Sequence, residues 1–186
     1  MRRLVVSHLR VLIIYLIVLT ILRWEWPGTW RALFDLVGLW IGAFIGMALL
    51  NLDQLVHVYF MRPQEQLSQQ IQSLVKQKKV REAAQTLLIR RGEQYHLAFR
   101  NGVFALVFIP VLFFAITSTS SLFGKGIALG VMVHFLYDAW RDQLTRPQFL
   151  NSWLFWMVSR EVSLEEQKTF LWLLTGAFGL LNLLLL

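Results

Sequence analysis

Five apolar blocks, Val11–Leu22, Leu33–Leu52, Val103–Thr117, Ile127–Trp140 and Phe170–Leu186, are separated by loops that hold most of the chain's charge. A bilayer core about 30 Å thick takes roughly 17 to 25 residues of helix to cross. The second and fifth blocks have that length, and the others reach it with their flanking turns. Lipid offers no hydrogen bonds to an open backbone, so such segments are expected to be helices. The composition agrees: 56% of residues are hydrophobic and mean hydropathy is +0.54, against roughly 45–50% apolar residues in a soluble domain. The expected fold is an all-α integral membrane protein, a bundle of about five transmembrane helices. These spans cover approximately residues 8–24, 32–52, 101–119, 122–140 and 168–186 of a single membrane domain, 1–186.

Charge sets the expected orientation. Only Arg23, Arg31 and Lys125 of the 18 Lys and Arg residues fall in the loops after the first and third blocks. The rest precede the first block or lie in the two long loops. By the positive-inside rule the N-terminus and both long loops are cytoplasmic, and five spans leave the C-terminus external. The protein is thus expected in the inner or plasma membrane as a multi-pass chain. The net charge of +7 then reports topology and membrane lipid as a partner, not nucleic acid. The first apolar run ends in Arg23-Trp24-Glu25-Trp26-Pro27 without a small-residue cleavage site, and reads as a retained span. Cysteine is absent, so a metal site would rest on His and carboxylates.

The loops carry helical patterns of their own. In 63–100, Leu67, Ile71, Leu74 and Val75, then Val80, Ala83, Ala84, Leu87 and Leu88, recur at helical spacing among polar residues. They predict a cytoplasmic amphipathic helical hairpin, opened by Pro63, that rests on lipid, covers the ionisable cluster described below or docks a partner protein, with its Lys-rich polar face favouring lipid. Residues 147–160, with Phe149, Trp153, Phe155 and Trp156, suit an interfacial helix. Ser163 followed by Glu166 is a capping box for the last span. Gly38, Gly42 and Gly46 stand four apart in the second block, and Gly126 and Gly130 repeat the spacing in the fourth. Such glycines let helices approach closely in lipid, either inside one bundle or across a homodimer through Gly38, Gly42 and Gly46.

Ionisable side chains gather where the blocks meet the cytoplasmic side. Asp53 and His57 close the second block, His96 precedes the third, and His134 and Asp138 end the fourth. Charged or imidazole groups there are costly in lipid and tend to face the bundle interior with a function or a partner. Each pair is spaced i, i+4, which puts both side chains on one face of a helix. Asp53, His57, His96, His134 and Asp138 are therefore candidate ligands of a divalent metal such as zinc, which takes three or four N or O donors. Asp53, His134 and Asp138 would be the catalytic members, and Arg91, Arg100 and Arg141 candidate phosphate-binding residues. Pairing with arginines or backbone groups is the structural alternative. His8 stands outside the set, with no role suggested by its spacing.

Three segments carry a resemblance: Asn51-Leu52-Asp53-Gln54, Arg91 to Leu97 with His96 inside it, and Gly130 to Asp138 with His134 at its centre. Their order resembles the bacterial and archaeal inner-membrane metal-dependent hydrolases, some of them LexA-regulated. That family's segments read Asp-x-Asp-His, Arg-Gly-x-x-His-Ser and Gly-x-x-x-His-x-x-x-Asp. The third matches best; Asn51, Gln54 and Leu97 depart from the first two. The resemblance spans roughly residues 33–140. It implies Asp53, His96, His134 and Asp138 as ligands with Arg91 as a companion.

Three functions fit these residues. The first is a membrane-embedded metal-dependent hydrolase acting on a phosphoester or lipid at the cytoplasmic leaflet. The second is a non-catalytic scaffold that binds lipid or a partner through the 64–100 hairpin. The third is a small transporter or proton relay. Phosphate loops and dinucleotide fingerprints are absent from the sequence.

Overall fold

The computed structural model describes residues 2–23, 30–90, 94, 97–118 and 121–185. Among these the chain is all-helical: α1 (Arg2–Leu22), α2 (Trp30–Val56), a π-helical turn (His57–Met61), α3 (Gln66–Lys76), α4 (Val80–Ile89), α5 (Gly102–Ser118), α6 (Leu122–Thr145), α7 (Pro147–Leu154) and α8 (Leu164–Leu185). Three stretches are long and apolar enough to cross a membrane: Ala32–Met61, Leu122–Thr145 and Leu164–Leu185. Ser7–Leu22 and Gly102–Ser118 are shorter apolar helices. The chain is thus associated with a membrane by the length and composition of its helices.

Helix α6 is the axis of the molecule. It packs most extensively on α2 and also touches α1, α5, α7 and α8. An unbroken run from Ala128 to Leu136 is buried, the all-round apolarity expected of a central helix. The glycines explain how close α2 and α6 lie. A methyl group on Gly42 would stand 2.2 Å from the Phe123 carbonyl oxygen, and one on Gly46 2.0 Å from that of Ile127. Reciprocally, one on Gly126 would meet the Leu39 oxygen at 2.2 Å, and one on Gly130 the Ala43 oxygen at 2.1 Å. Gly38 also faces α6, at Phe123. The two glycine stripes therefore interlock inside the chain, which accounts for the spacing of Gly38, Gly42 and Gly46 without a second copy.

The helix ends are set by local chemistry. At α8, the Ser163 N–H donates to the Glu166 carboxylate at 2.8 Å and the Glu166 N–H donates to Ser163 Oγ at 3.3 Å, the reciprocal bonds of a capping box. At the end of α2, the Arg62 N–H donates to the His57 carbonyl at 2.9 Å, widening the last turn to a π-helix. Pro63 then lies in the turn after it, and α3 opens at Gln66, not at the proline.

The hairpin packs on itself and on the end of the second helical stretch. Leu67, Ile71, Leu74, Ala83 and Leu87 close on one another and on Val58 of the π-turn. Gln72 donates its side-chain amide to the Val58 carbonyl at 2.9 Å. Part of the apolar face is thus buried within the chain, while Val75, Val80 and Ile89 stay exposed. The Leu88 side chain lies outside the described residues.

Candidate metal centre

The first turns of α1, the turn before α5 and the C-terminal half of α6 converge on one carboxylate, that of Asp138. His8 Nε2 of α1 lies 2.7 Å from Asp138 Oδ1. His134 Nε2, one turn earlier on α6, lies 3.4 Å from Asp138 Oδ2. The three ligand atoms stand within 4.8 Å of one another, and the group could hold a metal ion. Asp138 and His134 are buried, and the His8 side chain is 10% exposed. The His8 ring stands edge-on to those of His134 and Tyr137, at centroid distances of 5.0 and 4.6 Å.

The tautomer of His134 follows from its second contact. Nδ1 lies 2.8 Å from the Met47 carbonyl oxygen. A carbonyl only accepts, so Nδ1 carries a proton, and Nε2 is the nitrogen turned to Asp138 and left to bind an ion when the ring is neutral. A backbone carbonyl holding the far nitrogen is the arrangement that orients metal-binding imidazoles. Met47 follows Gly46 directly, so the glycine contact that brings α2 against α6 also brings this carbonyl to His134.

Two arginines complete the cluster. Arg100 NH2 lies 3.6 Å from Asp138 Oδ2 and donates to Asn51 Oδ1 at 3.0 Å. Arg141 NH1 lies 3.4 Å from Asp138 Oδ1, while its NH2 is 3.0 Å from Asp142. Asp142 is itself buried, held by Arg146 at 3.0 Å and by the Trp153 indole N–H at 3.2 Å. Beside Arg100 a small cavity of about 10 Å³ is also lined by Gln94, Leu97, Phe149 and Trp153. The buried Gln94 amide has no hydrogen-bond partner among the described residues.

Asp53 and His57 are not part of the three-ligand group. Asp53 is fully buried, and its oxygens accept from the Ala98 and Phe99 N–H groups at 3.0 and 2.8 Å. Both oxygens are engaged in holding the turn that aims Arg100, and Asp53 is outside the three-ligand group. His57 Nε2 donates instead to Glu65 Oε2 at 3.2 Å, so its ring holds the π-turn to the start of the hairpin. The Asp53/His57 pair is therefore split between two structural tasks. His96 and Arg91 lie outside the described residues.

His8 is the candidate ligand that spacing missed. Its partner lies in another helix: α1 packs on α6, and His8 in the second turn of α1 meets Asp138 in the C-terminal half of α6. Comparison with protein-family models, with curated proteins and with solved structures finds no match for this chain.

Proposed function

We propose that this chain is a five-span membrane hydrolase, using one divalent ion, zinc by preference, to cleave a phosphoester or lipid at the cytoplasmic leaflet. The observation that carries the reading is the convergence of His8, His134 and Asp138, with the His134 tautomer set by Met47. Two imidazoles and a carboxylate are the three protein ligands of a catalytic site that keeps a position for water. A bound ion of this kind supplies a water of lowered pKa and polarises a phosphoryl oxygen. Arg100 and Arg141 stand at the same carboxylate and would hold the phosphate's charge. The resemblance of the Gly130 to Asp138 segment to metal-dependent membrane hydrolases points the same way, with His8 in place of Asp53.

The five-span orientation, with a cytoplasmic N-terminus and an external C-terminus, is supported by the cluster itself. His8 lies in the second turn of α1, Asn51 near the end of α2, Arg100 before α5 and Asp138 in the last turns of α6, and they meet at one level. Alternating crossings would bring those four positions to one face. A reporter fused after Leu186 should behave as external; a cytoplasmic signal there would remove one span.

One observation favours a second reading. Arg100 and Arg141 already balance the Asp138 carboxylate, so the cluster also makes sense as a buried ion-pair network in a non-catalytic scaffold. The two readings part on metal content. Elemental analysis of detergent-purified protein should find about one zinc or similar ion per chain, the stoichiometry of one three-ligand site. His134→Ala should remove it together with hydrolysis of a phosphoester substrate. Metal-free wild-type protein after purification with zinc present would retire the hydrolase and leave the scaffold.

A further inference from the structure

We infer that Arg23 and Lys125 form an anion site at the end of the bundle opposite the metal cluster, and that its ligand is a phosphate carried by a membrane phospholipid. The inference does not rest on the hydrolase reading. Helices α1 and α6 pack on each other, with His8 on Asp138 near one end. From His8 to Arg23 the chain climbs about 22 Å at helical rise, and from Asp138 back to Lys125 about 20 Å. An antiparallel pair therefore brings Arg23 and Lys125 to nearly one level, and Arg23 is the like charge that Lys125 meets there. Arg23 also continues the buried stripe of Leu12, Leu16 and Leu19 by one more turn, its N–H still donating to the Leu19 carbonyl at 3.1 Å. Its NH1 nitrogen is buried and has no hydrogen-bond partner among the described residues.

Among the described residues no carboxylate balances the pair. Lys125 stands in the first turn of α6, where the helix dipole disfavours a cation, and no acidic residue shares that turn. Asp35 of α2, one turn before the Gly38 that faces Phe123, is exposed, and no ion pair joins it to either cation. Two like charges held together, one with a buried nitrogen, repel until an anion comes between them. A guanidinium offers parallel N–H donors to the oxygens of a phosphate, and an ammonium adds a point charge. The depth selects the source. About 20 Å from Asp138 covers most of the ~30 Å hydrocarbon core, and long Arg and Lys stems carry their heads toward the headgroup layer. Phospholipid phosphates fill that layer, and basic pockets between spanning helices take such head groups. Inorganic phosphate from water would meet the same donors, and the test separates the two.

The test reads thermal unfolding and retained lipid on delipidated protein in a maltoside detergent with EDTA. Dioleoylphosphatidylglycerol, dioleoylglycerol or inorganic phosphate is then added. The wild type should unfold at a higher temperature with the phospholipid than with dioleoylglycerol, which has the same chains and no phosphate, because a ligand of the folded form stabilises it. In native mass spectrometry Arg23→Gln/Lys125→Gln should retain the phospholipid about ten-fold more weakly, the size of a lost charge-assisted contact. Lys76→Gln/Lys78→Gln, at two exposed cations of the hairpin, should retain it as the wild type does. Without lipid, Lys125→Gln should unfold no lower than the wild type, since it removes a repulsion. Glu25, which lies outside the described residues, offers the rival account. An internal ion pair with it would make Lys125→Gln unfold lower without lipid and leave phospholipid retention unchanged, and that result overturns the inference. Equal loss of retention in the two double variants overturns it as well. Stabilisation by inorganic phosphate with none from the phospholipid would overturn the lipid source and leave the anion site.

Discussion

His8 and Asp138, 130 residues apart in the chain, meet with Nε2 2.7 Å from Oδ1. The contact ties the first helix to the central one at the end where α2 and the turn before α5 also arrive. It gives Asp138 a second imidazole besides His134, and it makes the early residues of α1 part of the site. A carboxylate shared by two imidazoles and two guanidiniums is satisfied from every side in a region with little water, and each of these partners depends on the others staying in place.

Loss of the His8 ring should therefore act on metal before it acts on the fold. His8→Ala removes one of three ligand atoms, and zinc affinity should fall by more than the 10–100-fold or so that loss of a supporting contact costs. His57→Ala should leave zinc content unchanged, because His57 is engaged with Glu65. Elemental analysis of the two variants side by side checks this. Equal zinc loss in both would mean that the ligand set is wrong.

Asp138→Ala should be the most damaging single change in the cluster. It strips the carboxylate from Arg100 and Arg141, and removing one partner of a buried charge pair costs about 3–5 kcal/mol. Arg141 retains Asp142 and Arg100 retains Asn51, which puts the expected loss at the lower end. Asp138→Asn keeps the shape and one acceptor and should fall between the variant and wild type. Thermal unfolding in detergent measures both. A loss under about 1 kcal/mol for the alanine variant, the size of a surface pair, would contradict the burial of the network.

The helices were largely legible in the sequence because the signals that form them are local. Apolar length, the Ser163 to Glu166 capping box and the hairpin periodicity each act within a few residues, and α-helices stand at all of these places. Bounds at the C-terminal end of α2 were not, since the π-turn at His57 depends on the hairpin folding back on Val58. The site was half legible. His134 and Asp138 share a helix face, so spacing alone unites them. Asp53 and His57 share one equally well, yet the first is engaged by the Ala98 and Phe99 amides and the second by Glu65. Those partners come from segments whose return path no local pattern encodes. His8 was passed over for the same reason: its partner lies in another helix.

The glycine contact makes a remote test of the His134 geometry. Gly46→Ala would set a methyl 2.0 Å from the Ile127 oxygen, so α2 and α6 must separate. Overpacking of this kind costs about 1–3 kcal/mol, and it moves the Met47 carbonyl away from His134 Nδ1. Gly46→Ala should lower both the unfolding temperature and zinc content. Gly179→Ala on α8, where a methyl meets nothing within 4 Å, should change neither. If Gly46→Ala matched Gly179→Ala, the close approach of the two helices would be refuted.

Asp53 separates a ligand from a residue that holds a ligand's neighbour. Its two oxygens accept from the Ala98 and Phe99 N–H groups, two residues ahead of and next to Arg100. Asp53→Asn retains one acceptor oxygen but puts a donor NH₂ opposite the second amide. An unsatisfied buried donor costs about 1–3 kcal/mol, so the turn should loosen and stability fall by that order. Zinc content should stay at the wild-type level, because none of the three ligand atoms belongs to Asp53. Zinc lost in Asp53→Asn while unfolding temperature is unchanged would instead return Asp53 to the metal and remove it from the turn.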